Sequence, residues 1–247
     1  MRNEPNFYPY ILDKKEIIKK IVFIFPIFLL MFFLFMKVKL SSTYTSMIQE
    51  DTLIEYSQSL AYFIASVIAF LIGRNFHRRK FKLYGIIYIL LSLCFLFIAM
   101  EEISWGQRIF NISTPEYLQE HNYQKEITVH NIRTFQFYIH HKLYILIGLF
   151  GSFSWMLIPR KLKKKYNDFI SFMMPQWYLM FYFIPVFACY LYIDCVSTYG
   201  MKGTPFNIGS DQEPAEFILA LGFLVFILIN KYKQIYFLNI KKGKHVN

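Results

Sequence analysis

Long apolar, nearly uncharged runs recur six times along this chain, over residues 21–40, 55–73, 83–100, 143–159, 169–193 and 213–231. A helix needs about 20 such residues to cross a bilayer, and a water-soluble domain of this length has too little interior to bury six of them. Composition agrees, with 55% hydrophobic, 20% aromatic and only 17% charged residues. The expected fold class is all-α: one polytopic membrane helix bundle over residues 1–247. It has six transmembrane helices and a polar extracytoplasmic loop segment at 101–141 that contains short helices.

Local features refine the spans. Pro175 and Pro185 should kink the fifth, because each removes a backbone donor and clashes with the preceding turn. The sixth has an apolar core of only Phe217 to Ile229, so either Lys231 and Lys233 snorkel or Glu216 dips below the interface. The first is preceded by twenty polar-rich residues and followed by KVKLSSTY, without a small-x-small cleavage site, and reads as a retained anchor.

Basic residues set the orientation. The segments MRNEPNFYPYILDKKEIIKK, RNFHRRKFK, RKLKKKYND and KYKQIYFLNIKKGKHVN fall on one side of a six-span chain, and each holds five Lys or Arg. Together they carry 20 of the 27 basic residues and 4 of the 16 acidic ones, which places both termini in the cytoplasm. The +11 net charge then belongs to this asymmetry and to anionic lipid, so the bilayer is the expected partner and nucleic acid is not. Cys94, Cys189 and Cys195 make neither a metal spacing nor a disulfide framework, and are expected as packing residues, Cys195 being the one with a route to solvent. Phosphate loops, nucleophile elbows and HExxH helices are absent from the sequence.

Chemistry-bearing residues collect on the opposite, outer face: Glu50, Asp51 and Glu55; the segment from Glu101 to His141; and the loop from Asp194 to Glu216. The stretches beginning at Glu50 and Asp211 echo each other, with acids at Glu50/Asp211 and Glu55/Glu216. Helix capping by Asp51 and Asp211, with Glu55, Glu213 and Glu216 near a positive helix end, accounts for much of that. In span two, Glu55, Gln58, Ser59, Tyr62 and Ser66 form one polar face. It serves either as helix–helix glue or as the wall of a water-filled pocket.

Capping cannot explain AMEEISWGQRIF, residues 99–110. Glu101 and Glu102 end an outward-running helix, where the dipole disfavours anions by about 0.3–1 kcal/mol. Carboxylates so placed must be hydrated, protonated, paired or metal-bound. If the helix continues, Glu101, Trp105 and Arg108 share a face; alternatively Gly106 ends it and folds Gln107 and Arg108 back over the carboxylates. A helix start is expected at Ser113 with Pro115 in its first turn. Glu120, His121, Asn122, Glu126, His130, Asn131, His140 and His141 then supply further acid/base groups or metal ligands, without a tight ligand motif.

These residues resemble bacterial multi-span membrane proteins of uncharacterised function that carry an EEISWGQR-like signature at the end of a span. Those proteins also have an acidic pair and a Glu before the preceding span, here Glu50, Asp51 and Glu55. A later stretch is similar to N-x-x-x-E-x-x-x-H-N, here Asn122, Glu126, His130 and Asn131, with Gly where this chain has Lys125. The resemblance implies a bacterial cytoplasmic membrane and one shared polar site. A likeness to CAAX-type intramembrane proteases is weaker: Glu101-Glu102 and Phe137-x-x-x-His141 match, but Gly106 stands at the required Arg and no third His motif follows.

The site is therefore expected to combine Glu101, Glu102, Arg108 and His130 as catalytic groups with Glu55, Trp105, Gln107, Asn122, Glu126, Asn131 and Glu216 as substrate-binding groups. Glu101, Glu102 and His130 are the candidate ligands of a divalent metal ion. The reaction would be hydrolysis or transfer on a lipid or lipid-linked substrate. The alternatives are a proton- or cation-coupled transporter and a non-catalytic subunit or sensor.

Overall fold

The computed structural model describes residues 16–49, 52–122, 124–135, 139–199 and 210–243, so the expectations for Glu50, Asp51 and Phe137 lie outside the described residues. Everything described is helix, turn or loop apart from one isolated bridge between Asn122 and Ile132.

In chain order the helices are α1 (Glu16–Lys39), α2 (Ser41–Met47), α3 (Leu53–Arg78), α4 (Lys82–Glu102), α5 (Glu116–His121), α6 (Arg133–Phe135), α7 (His141–Leu157), α8 (Arg160–Lys165), α9 (Asn167–Met173), α10 (Met180–Tyr199) and α11 (Glu213–Gly243). Among the described residues, five segments are long and apolar enough to cross a membrane: Glu16–Lys39, Leu53–Arg78, Lys82–Glu102, Asn167–Val196 and Glu213–Ile240. The expected fourth span is α7, which is 17 residues long.

Periodicity explains how α4 sits. Leu83, Ile86, Leu90, Leu93 and Phe97 form an exposed apolar stripe, as expected of a lipid-facing side, and Cys94 lies exposed beside it rather than packed. Gly85, Tyr88, Ser92, Phe95 and Ala99 form the buried stripe; Glu101 is also buried, and the half-buried Glu102 follows Ala99 by three residues. The polar face of α3 acts as glue: Ser59 Oγ donates to Ala99 O at 2.7 Å and Ser66 Oγ to Ser92 O at 2.9 Å, both on α4.

Pro175 breaks the fifth span into α9 and α10. Ser171 O would normally accept from residue 175, which has no N–H, so Lys233 Nζ of α11 donates there instead at 2.7 Å. Tyr88 OH and Asn230 Nδ2 donate to Phe172 O at 2.8 and 3.0 Å. Lys233 thus turns inward rather than snorkelling, while Glu216 is buried in the bundle.

Two expectations at helix starts are corrected. Asp211 does not cap α11: its carboxylate is taken by Lys37 Nζ at 2.5 Å and Tyr44 OH at 2.9 Å, two residues before the helix begins. The helix expected from Ser113 starts at Glu116, because the residue before Pro115 is driven to extended backbone and Thr114 turns its hydroxyl to Lys125 O.

Candidate functional site

At the end of the bundle where α4 stops, the chain turns sharply. Ser104, Trp105 and Gly106 have φ of 49°, 55° and 74°, three left-handed residues in a row, of which only glycine adopts that conformation freely. The helix therefore does not continue through Trp105 and Arg108; it ends at Glu102, four residues before Gly106. The chain beyond folds back so that Gln107 reaches Thr114 and Ile127 and Arg108 reaches Glu126, which corrects the expectation that Gly106 itself ends the helix and lays these two residues over the carboxylates.

The residues around this turn hold the stretch 122–131, and that stretch holds them. Glu101 is 4% exposed. Its Oε1 accepts from Trp105 Nε1 at 2.6 Å, and its Oε2 accepts from the amides of Val129 and His130 at 2.7 and 3.0 Å and lies 3.1 Å from His130 Nδ1. Glu126 accepts from Ser104 Oγ on one side of the turn and from Arg108 Nη2 on the other. Gln107 donates to Thr114 Oγ1 at 2.5 Å and accepts from Ile127 N at 2.7 Å. Asn122 donates to the carbonyl oxygens of Glu126 and Thr128, and Asn131 donates to Gln124 Oε1. This clamp answers how a carboxylate survives at a helix C-terminus: N–H donors from a distant loop replace the water it has lost.

Glu102 points the other way, into the bundle. It lies in the electrostatic field of Glu216, Glu213, Glu55 and Glu101. Glu216, 7% exposed, is held by Tyr190 OH at one oxygen and by Tyr144 OH at the other, the latter at 3.3 Å. Gln58 is fully buried and its amide donates to the Glu213 carboxylate at 3.0 Å. Tyr62, Phe95 and Phe223 stand seven residues, or about 10 Å, deeper than Glu55, Glu102 and Glu216 on the same three helices. The rings pack at centroid distances of 5.2–6.2 Å and form an aromatic layer beneath these acids.

Imidazoles join the clamp to this acid cluster. His130 stacks on His140 at 5.6 Å, His140 meets Tyr144 edge-on at 4.6 Å, and Tyr144 stacks on Tyr190 at 4.6 Å. Burial, helped by the neighbouring imidazoles of His130 and His141, pushes His140 down to about 3, so it is neutral at physiological pH.

Of the expected residues, Glu101, Trp105, Gln107, Arg108, Asn122, Glu126, His130 and Asn131 come together in the clamp, and Glu55, Glu102 and Glu216 lie within electrostatic reach of one another behind it. Glu120 and His121 are exposed on α5, where His121 stacks on Tyr117. Tyr144 and Tyr190 escape sequence reasoning because a tyrosine in an apolar run looks like any interfacial aromatic. Among the described residues, no three His, Cys, Asp or Glu side chains are grouped to hold a metal ion. Comparison with protein-family models, curated proteins and solved structures finds no match for this chain.

Proposed function

We infer that the chain is an integral membrane protein of the bacterial inner membrane, crossing six times with both termini in the cytoplasm. The crossing added to the five long helices is α7, the fourth in chain order: its 17 residues span about 25 Å, at the short end of what a bilayer needs. The concentration of basic residues on one set of helix ends supports the orientation.

We further infer that the acid cluster is an acid–base site for hydrolysis or group transfer on a lipid or lipid-linked molecule. The observation that carries this reading is Glu216, a buried carboxyl held by two tyrosine hydroxyls and within electrostatic reach of Glu102. In such a pair, one carboxyl takes the proton of an attacking water or hydroxyl as its oxygen bonds to the substrate centre. The other gives a proton to the leaving oxygen as its bond breaks. Arg108, its side chain 43% exposed at the rim, offers a contact for an anionic head group.

The test is turnover of fluorescent phospholipids and lipid-linked sugars by the purified protein in nanodiscs. Glu102→Gln and Glu216→Gln should each lower turnover by about 10²-fold or more with unchanged melting temperature. No turnover of any such substrate by the wild type would reject the reading.

A second reading is proton-coupled transport, favoured by the buried Asn230 and Gln234 and the half-buried Lys233 at the far end of α11. The aromatic layer beneath Glu216 weighs against it, and proteoliposomes under an imposed pH gradient separate the two.

A further inference from the structure

The segment that follows α4 is apolar where a water-exposed loop would be charged. Residues 103–115 contain no carboxylate, although Glu101, Glu102, Glu116 and Glu120 stand close on either side. Trp105, Ile109, Phe110 and Ile112 are all exposed, Phe110 by 73% and Ile109 by 63%. The fold holds them so: the Phe110 ring lies over Gly106, where a Cβ would meet two ring carbons at 3.0 Å. The turn also pairs its own amides. Gly106 N donates to Ile103 O, Gln107 N to Ser104 O, Phe110 N to Gly106 O and Ile112 N to Gln107 O, at 2.8–2.9 Å. Backbone paired internally loses little on leaving water, which is the condition for a loop to rest in lipid.

Continuity with the lipid-facing stripe of α4 says what covers these side chains. That stripe runs through Leu90, Leu93 and Phe97, and the Trp105 ring folds back to pack on Phe97 at 5.7 Å. The indole N–H points inward, to Glu101 Oε1 at 2.6 Å, so the exposed part of the ring is hydrocarbon. Phe97 lies about one turn deeper than Glu101, and lipid that covers it meets Trp105 without a break. Depth agrees. The 21 residues of α4 rise about 31 Å, the thickness of a bilayer's hydrocarbon core, so the chain leaves the helix at the level of the head groups. Tryptophan is enriched at this level, and the polar Arg108 and Asn111 between the apolar residues suit it as well.

We propose that Trp105, Ile109, Phe110 and Ile112 insert into the leaflet at this end of α4 and anchor the clamp to the bilayer. The clamp is then fixed at head-group depth rather than suspended in water above it.

Spin labelling of the full-length protein in phosphatidylcholine nanodiscs tests this. In a background of Cys94→Ser, Cys189→Ser and Cys195→Ser, labels are placed at Ile109→Cys, Phe110→Cys and Ile112→Cys. Leu93→Cys serves as the lipid-facing reference and Glu120→Cys, exposed on α5, as the aqueous one. The ratio of collisions with oxygen, which concentrates in hydrocarbon, to collisions with a water-soluble nickel chelate should be several-fold higher at Ile109 and Phe110 than at Glu120. Ratios like that at Glu120 place the segment in water and overturn the proposal. Labels shielded from both reagents overturn it too, because protein then covers the face. Should the cysteine-free background fail to fold, Trp155→Phe with Trp177→Phe leaves Trp105 as the single tryptophan. Its fluorescence should be quenched by lipids brominated in the acyl chain and spared by aqueous iodide; the reverse pattern overturns the proposal. Neither readout involves Glu102 or Glu216, so the result does not depend on the acid–base reading.

Discussion

His130 gives Glu101 both its backbone amide, at 3.0 Å, and its ring Nδ1, at 3.1 Å, across 29 positions of sequence. With Trp105 at the other oxygen, Glu101 is committed to holding the loop, although its neighbour Glu102 faces the bundle. The two carboxyls should therefore behave differently. Glu101→Gln must set an amide NH₂ against an N–H donor and should cost about 1–3 kcal/mol of stability. Glu102→Gln should leave stability within the error of a thermal melt. Equal melting temperatures for the two variants would remove this division of labour.

Glu126 joins Ser104 to Arg108 and so ties the two ends of the left-handed turn. Glu126→Ala should destabilise by about 1–2 kcal/mol, most of it from the stranded Ser104 hydroxyl, since solvent screens the half-exposed Arg108. Limited proteolysis should then cut within 103–115 sooner than in the wild type; an unchanged digestion rate would show that the turn holds itself.

Lys125 has φ 56°, the left-handed conformation that costs a side-chain-bearing residue about 1–2 kcal/mol. Glycine avoids that cost but gives back about 0.5–1 kcal/mol through the freedom of the unfolded chain. Lys125→Gly should thus stabilise by roughly 0.5–1 kcal/mol in a thermal melt. A lower melting temperature would count against strain at this position.

Close approach of α7 and α10 depends on glycine. A Cβ on Gly148 would sit 2.8 Å from Phe187 N and 2.9 Å from its Cα, and backbone cannot swing aside as a flexible side chain can. Gly148→Ala should cost about 1–3 kcal/mol and separate the two helices. A cysteine pair placed across the interface should cross-link more slowly in this variant.

His140 has a folded-state value of about 3, below the ordinary imidazole value of 6.5. Between those values the unfolded chain binds the proton and the folded one does not, so stability rises with pH through this window. The contribution is fully present above pH 6.5 and is lost as pH falls toward 3. His140→Phe keeps a ring in the stack and removes the proton acceptor, so its melting temperature should fall less than that of the wild type between pH 7 and pH 4. Parallel curves would show that His140 is not the group responsible.

Much of the candidate site was legible in the residues, but its internal division was not. The misfit of two carboxylates at a helix C-terminus marked Glu101 as needing partners, and the loop supplies them. Nothing in the adjacency of the two carboxylates tells that one faces the loop and the other the bundle, because the 100° between neighbours on a helix becomes meaningful only once the surrounding helices are placed. Asn122, Glu126, His130 and Asn131 looked equally suited to binding and to structure; their hydrogen bonds to one another and to the turn place them in the clamp.

The sequence by itself determined the apolar helices, because the requirement for about 20 uncharged residues is local and leaves little freedom of interpretation. It also determined which helix ends carry the polar chemistry, and that Pro175 must interrupt a helix, since a missing N–H is a covalent fact. Only the tertiary structure decided that Lys233 would fill the resulting gap, that Asp211 would pair with Lys37 rather than cap a helix, and that Tyr144 and Tyr190 would converge on Glu216. Each of these is a contact between helices distant in sequence. Such contacts are set by which stripes of small and large side chains let the helices approach, and that information is spread over the whole bundle rather than written in any one stretch.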